Sequence, residues 1–209
     1  MLLTGFEPFG GDAVNPSGDA VRTVAARWSG PDLLIAAVLP VSFAAAAERL
    51  AELLAAHAPD LVIAAGLAGG RAEIAVERVA VNLADARIPD NDGSQPVDEE
   101  SLPGAPAALF ATLPIKRIVG AIAEQGIPAV ASLSAGSFVC NHVFLHAAAW
   151  AARTPGSRAG FVHVPWAEGQ GPGGAPALPA ADIAVAIETA VRVSLAHAAD
   201  AAIVGGSLH

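Results

Sequence analysis

Ile127-Pro-Ala-Val-Ala-Ser-Leu133, followed without a break by Ser134-Ala-Gly-Ser-Phe-Val-Cys-Asn-His142, sets the architecture of this chain. The first run is apolar and strand-sized. The second is a loop of small residues that leads into a helix predicted over Asn141 to Ala152. The same strand-then-helix unit recurs along the sequence. Strands are predicted at Leu2 to Phe6, Leu33 to Leu39, Leu61 to Ala65, Glu73 to Asn82, Ile127 to Leu133 and Gly160 to Val164. Several are apolar throughout, as strands covered on both faces should be. Asn15 caps a helix that begins at Pro16 and runs to about Trp28. Ser42 caps the next, to about His57, and further helices fit Ile115 to Gln125 and Ala180 to His197. This alternation predicts an α/β fold: a three-layer α/β/α sandwich around a largely parallel, mixed sheet.

Composition narrows the function. The chain has 209 residues, enough for one domain with a substantial core, and residues 1–209 read as a single domain. Its net charge of −9 and only 11 Lys and Arg, spread along the chain, argue against a nucleic-acid partner. The longest apolar helical tracts carry Glu48, Arg49 and Glu52 in one case and Asp182, Glu188 and Arg192 in the other, so no membrane span is expected. The N-terminus has no basic segment ahead of an apolar one and does not read as a secretory signal, which makes the cytoplasm the expected location. A single cysteine, Cys140, cannot form an internal disulfide, in keeping with a reducing compartment.

Two stretches depart from the alternation. Ala84 to about Pro106 is polar and rich in Pro and Gly, too long for an ordinary connection, and its arginine, paired acids and amides between Asp85 and Gln95 read as the wall of a site. Gly169 to Pro179 reads as a surface loop, because its glycines accompany neither a strand-to-helix turn nor a basic residue.

Chemistry in α/β sheets gathers at the carboxyl ends of strands. Cys140 falls at a helix start, where unpaired backbone N–H groups and the helix dipole favour a thiolate. His163 interrupts the apolar run Gly160-Phe-Val-His-Val-Pro-Trp166, and Glu77, next to Arg78, interrupts Ile74-Ala-Val-Glu-Arg-Val-Ala-Val81. A nucleophilic thiol needs a base, and an imidazole base needs a third group to fix its tautomer. These residues fill the three roles.

These residues and their flanks carry a resemblance. Leu3-Thr-Gly-Phe-Glu-Pro-Phe-Gly-Gly11 followed by Asn15-Pro-Ser, Glu77-Arg-Val-Ala-Val-Asn82, Asp85-Ala-Arg-Ile-Pro-Asp-Asn91 with Gln95-Pro96, Ala135-Gly-Ser-Phe-Val-Cys-Asn-His142 and Val162-His-Val-Pro165 together resemble the type I pyroglutamyl peptidases, also called pyrrolidone-carboxylate peptidases. The match runs in order from Met1 to Gly205-Gly-Ser-Leu-His209. The resemblance implies a phosphorylase/hydrolase-like α/β/α fold and a homotetramer. It also implies a cysteine exopeptidase that removes N-terminal pyroglutamate without metal or organic cofactor. It puts the nucleophile on Cys140, the base on His163 and the acid on Glu77, and associates Phe6, Phe9, Asn15, Leu67, Arg87 and Phe138 with substrate, Arg87 close to the oxyanion.

A pyroglutamyl ring is a flat, neutral lactam. Its pocket should be apolar, with one acceptor and one donor for the lactam and no need of a carboxylate, and Phe6, Phe9 and Phe138 would sandwich the ring. Leu67 stands where the resembled family commonly has Gln, and Gly18 where an aromatic is frequent. Neither belongs to the triad. A zinc site built from Cys140, His142 and His146 lacks a fourth ligand. Ser132-Leu-Ser-Ala-Gly136 misses the first glycine of a serine-hydrolase elbow. A phosphorylase-like enzyme would need an Arg- or Gly-rich anion site at a helix start, and a non-catalytic module would have lost part of the triad.

Overall fold

In this computed structural model residues 1–205 are described, so the end of the sequence match, 206–209, lies outside the described residues. In chain order the elements are β1 (Leu2–Phe6), α1 (Pro16–Arg27), β2 (Ile35–Leu39), α2 (Phe43–His57), β3 (Leu61–Leu67), β4 (Ile74–Glu77), β5 (Val79–Val81), β6 (Ala108–Phe110), α3 (Ile115–Ala123), β7 (Ala129–Ser132), α4 (Val139–Arg153), β8 (Arg158–Val164), β9 (Trp166–Ala167), β10 (Ala177–Leu178) and α5 (Ala180–Ala196).

Six strands form one sheet in the order β2-β1-β3-β8-β4-β7. The first four are mutually parallel, while β4 runs antiparallel to β8 and parallel to β7. The sheet is therefore mixed and mostly parallel. Every β1 and β4 side chain is buried, as is most of β3 and β8, because helices cover both faces. On one face α2 and α4 pack together over Leu39, Val62, Ala64 and Phe161; on the other, α1, α3 and α5 cover Leu3, Ile63, Val76 and Val162.

Local chemistry explains the helices. The Asn15 side chain accepts from Ser17 N–H ahead of Pro16, and the Ser42 side chain accepts from Ala45 N–H. In α3, Ile115, Ile118 and Ile122 recur at helical spacing and are fully buried, each contributing roughly 1.5–3 kcal/mol. Helix α1 lies so close to β1 that a Cβ on Gly5 would sit 2.6 Å from the Ser17 carbonyl oxygen, and one on Gly18 would strike the Phe6 carbonyl oxygen. Gly18 is thus required where the chain departs from the resembled pattern.

The predicted strand Glu73 to Asn82 is two strands. The chain leaves the main sheet at Arg78, where its neighbour β7 ends, and Val79–Val81 pairs instead with β6 in a separate ribbon. With no partner beyond Ser132, a continuous β-forming sequence cannot stay in the sheet. The short strands β6, β9 and β10 were not predicted.

The long polar segment is fixed by hydrogen bonds. Buried Asp90 accepts from Phe43 N–H at 2.9 Å with Oδ2, and from Asp92 and Ser94 N–H with Oδ1. Asn91 Nδ2 donates to Glu7 Oε1 and to the Pro8 carbonyl, and Asn91 N–H donates to the Val41 carbonyl. The segment therefore ties together the chain just beyond β1 and the entry to α2.

Candidate active site

The three residues singled out for nucleophilic chemistry converge, though not in the way expected. Since β4 runs against β8, the carboxyl end of β4 does not lie at the carboxyl end of the parallel strands. Glu77 pairs with Phe161, and Ala75 with His163. Residues two apart on a strand share a face, so Glu77 reaches His163 along the diagonal of the antiparallel pair. Its Oε1 lies 2.8 Å from His163 Nδ1. A carboxylate only accepts, so Nδ1 carries the proton and Nε2 is left as the basic nitrogen. The imidazole also packs against Phe161, with ring centroids 4.7 Å apart.

Cys140 arrives from the other side. Its register is set by Gly66 in β3, the partner of His163 in the parallel β3–β8 pair. A Cβ on Gly66 would lie 2.6 Å from Cys140 Sγ and 2.8 Å from Phe161 Cζ. The sulfur therefore occupies the space a side chain at position 66 would take, one strand spacing, about 4.8 Å, from the His163 backbone and on the same face. No side chain caps α4, so the N–H groups of its first turn, Cys140's included, are free to meet an anion. The buried Asn141 side chain pins this helix start, accepting from Val81 N–H and donating to the Val81 and Leu83 carbonyls.

The expected bias toward thiolate does not hold at rest. Burial, then the negative Glu77, push the Cys140 thiol up to about 12. The residue keeps some accessible surface because it lines a cavity, but its sulfur is densely surrounded by protein, and that environment outweighs the helix start. The resting group is a thiol that needs a base.

The cavity beside Cys140 measures about 100 Å³ and is lined by Phe6, Phe9, Asp12, Val14, Asn15, Val41, Leu67, Phe138 and Val139. For scale, a cavity of roughly 150 Å³ holds benzene. Of the positions associated with substrate, Phe6, Phe9, Asn15, Leu67 and Phe138 are in its wall. Arg87 is not: it is exposed on the polar segment and outside the lining. Phe9 and Phe138 leave no slot between them for a ring. They already touch, with centroids 5.2 Å apart and planes at 46°, whereas a ring stacked between them needs about twice a 3.5–4.0 Å contact. The Asn15 carboxamide is largely committed, its Oδ1 accepting from Ser17 N–H and Oγ and its Nδ2 donating to the Glu7 carbonyl. The one charged group in the wall is Asp12, exposed, where no carboxylate was expected.

Sequence reasoning missed Arg71. Its Nη1 donates to Glu77 Oε1 at 3.1 Å and its Nη2 to the Ser134 carbonyl at 3.0 Å. The guanidinium on Glu77 is thus Arg71, not the adjacent Arg78. An arginine in a glycine-rich turn reads as a solvated charge, and only the fold brings it to the acid. The rings of His142 and His146 lie 4.4 Å apart, tilted at 48°, and among the described residues no group of three or more His, Cys, Asp or Glu is arranged to hold a metal ion.

Comparison with known proteins gives one consistent result. A family model for pyroglutamyl peptidase matches residues 1–199. The pyrrolidone-carboxylate peptidase of Erwinia tasmaniensis is 47% identical, covering 100% of this chain and 99% of the relative. That of Clavibacter michiganensis is 48% identical, covering 100% and 98%. Among solved structures, pyroglutamyl peptidase I of Bacillus amyloliquefaciens superposes with a TM-score of 0.92 at 44% identity, covering 96% of this chain and 98% of its own. The pyrrolidone carboxyl peptidase of Thermococcus litoralis gives 0.89 at 41%, covering 93% and 92%.

Proposed function

The chain belongs to the pyroglutamyl peptidase family, and we propose that it removes an N-terminal pyroglutamyl residue from peptides with Cys140 as nucleophile, His163 as base and Glu77 as the group that orients the imidazole. One observation carries the reading: Glu77 lies 2.8 Å from His163, His163 is the strand partner of Gly66, and Cys140 Sγ sits in the side-chain space of Gly66 at the wall of a mostly apolar cavity.

The steps use protein groups and water. His163 Nε2 takes the Cys140 proton as the sulfur attacks the carbonyl carbon joining pyroglutamate to the next residue. The free N–H groups at the start of α4 stabilise the oxyanion. His163 then protonates the leaving amine, the C–N bond breaks and a thioester remains. Water gives a proton to His163 and its oxygen attacks the thioester carbon; the C–S bond breaks, pyroglutamate leaves, and the imidazolium returns its proton to the sulfur. Glu77 balances the imidazolium in each half. Burying an amine-bearing N-terminus against Phe6, Val14, Val41 and Leu67 would cost more desolvation than burying the neutral lactam, with only the exposed Asp12 at the rim to offset it.

The same reading takes residues 1–209 as one cytoplasmic catalytic domain that assembles as a homotetramer. No helix of the described residues is long and apolar enough to cross a membrane, and exposed Phe110 and Leu133 offer apolar surface for a subunit contact. The test is release of dye from a pyroglutamyl amide and from its prolyl counterpart. Pyroglutamyl-selective release that iodoacetamide abolishes is expected. Equal release from both, or release that survives Cys140→Ser, would refute the assignment.

A further inference from the structure

The acid that holds His163 is itself held. Glu77 is fully buried, and its Oε1 receives both His163 Nδ1 and Arg71 Nη1, while its Oε2 has no partner among the described residues. A buried carboxylate so sparingly hydrogen-bonded depends on counter-charge. Arg71 supplies it from a partly exposed position, and the other arm of its fork grips the Ser134 carbonyl, in the loop that delivers Cys140. The groups around Glu77 are therefore His163 from β8, Cys140 from the start of α4 and Arg71 from the turn after β3. Glu73 and Arg78 lie on its own segment, and the Arg78 backbone is paired to Ser132 and Ala111.

We propose that Arg71 is a positioning residue for the reaction: its bridge between Glu77 and Ser134 offsets part of the acid's charge and ties the acid to the loop that delivers Cys140. This rests on the peptidase reading above. The two arms have separable duties. The arm on Glu77 acts through charge, because the carboxylate raises the proton affinity of every group near it. The arm on Ser134 acts through geometry, holding the entry to α4 in register with β4. The direction of the first effect follows from Coulomb's law. Removing the cation leaves the full carboxylate field on both partners, so neutral imidazole and thiolate each require a higher pH.

Two substitutions separate charge from geometry. Arg71→Gln removes the charge and is too short to keep the Ser134 arm; Arg71→Lys keeps the charge but also loses the fork, so the difference between the two variants isolates the charge. Because Cys140 is the only cysteine, the pH dependence of iodoacetamide alkylation reports on its thiol alone, with no substrate involved. In Arg71→Gln, that profile and the acid limb of kcat/KM should both move up by about half to one pH unit, with kcat down about tenfold and KM within about threefold. Arg71→Lys should keep both profiles near wild type. Unmoved or lowered profiles in folded Arg71→Gln overturn the proposal. So does a shifted profile in Arg71→Lys, which decides the matter even if the glutamine variant fails to fold. A wild type inactive on pyroglutamyl amides would sink the peptidase reading instead, and the alkylation profiles would still test the link from Arg71 to Cys140.

Discussion

Two buried imidazoles, His163 and His142, are equally hidden from water, at 5% and 8% exposure, yet the structure prepares them for opposite lives. His163 rests on a carboxylate, so an imidazolium there would be met by charge. His142 rests on a hydroxyl, Ser101 Oγ at 2.8 Å, and stacks edge-on to Phe43 with His146 beside it. Burial, then the neighbouring His146, push His142 down to about 4, and burial lowers His146 as well. Burial by itself thus keeps an imidazole neutral and idle. In the proposed mechanism what makes a base of His163 is the acid behind it, and that acid is also held by Arg71.

The sharpest way to break this contrast is to remove each ring in turn. His163→Ala should lower kcat on the order of a thousandfold, whereas His142→Gln, a neutral polar replacement, should leave kcat within about threefold. Comparable losses at both positions, measured as steady-state turnover, would erase the distinction. Next in size is the partner. Glu77→Gln preserves shape but not charge, and kcat should fall roughly a hundredfold, with KM changed far less.

The smallest effect concerns stability. The folded value of His142 lies below its unfolded value, so the unfolded chain takes up the proton first as pH falls. The stability this group contributes is complete above about pH 6.5 and is lost on descent toward about pH 4. Urea unfolding of wild type between about pH 7 and about pH 4.5 should show a loss to which this one residue adds about 2 kcal/mol. In His142→Gln that increment should vanish, and an identical slope in the variant would contradict the assigned environment.

Much of this was legible in the residues, for local reasons. Asn15-Pro16 and Ser42 announced their helices because caps are chemistry of a few adjacent atoms. Glu77 and His163 stood out because charge amid β-forming residues is costly unless it has a purpose. Strand direction was not legible: nothing in Ile74-Ala-Val-Glu77 says that β4 opposes β8, since periodicity is the same read either way. Arg71 and the contact between Phe9 and Phe138 were hidden for a related reason. Each depends on segments far apart in sequence, and no local pattern marks which loop arginine will be folded onto an acid. Arg87, associated with substrate by resemblance alone, is exposed and outside the cavity lining, and no local pattern marks its role.

Gly66 carries a last consequence. A glycine in a central strand weakens it by roughly 0.5–1 kcal/mol, and heat-resistance engineering by Gly→Ala replacement would naturally begin there. At this position the added methyl would compete with the sulfur and with Phe161 for one volume. On the proposed mechanism such a campaign would trade turnover for rigidity at its first step.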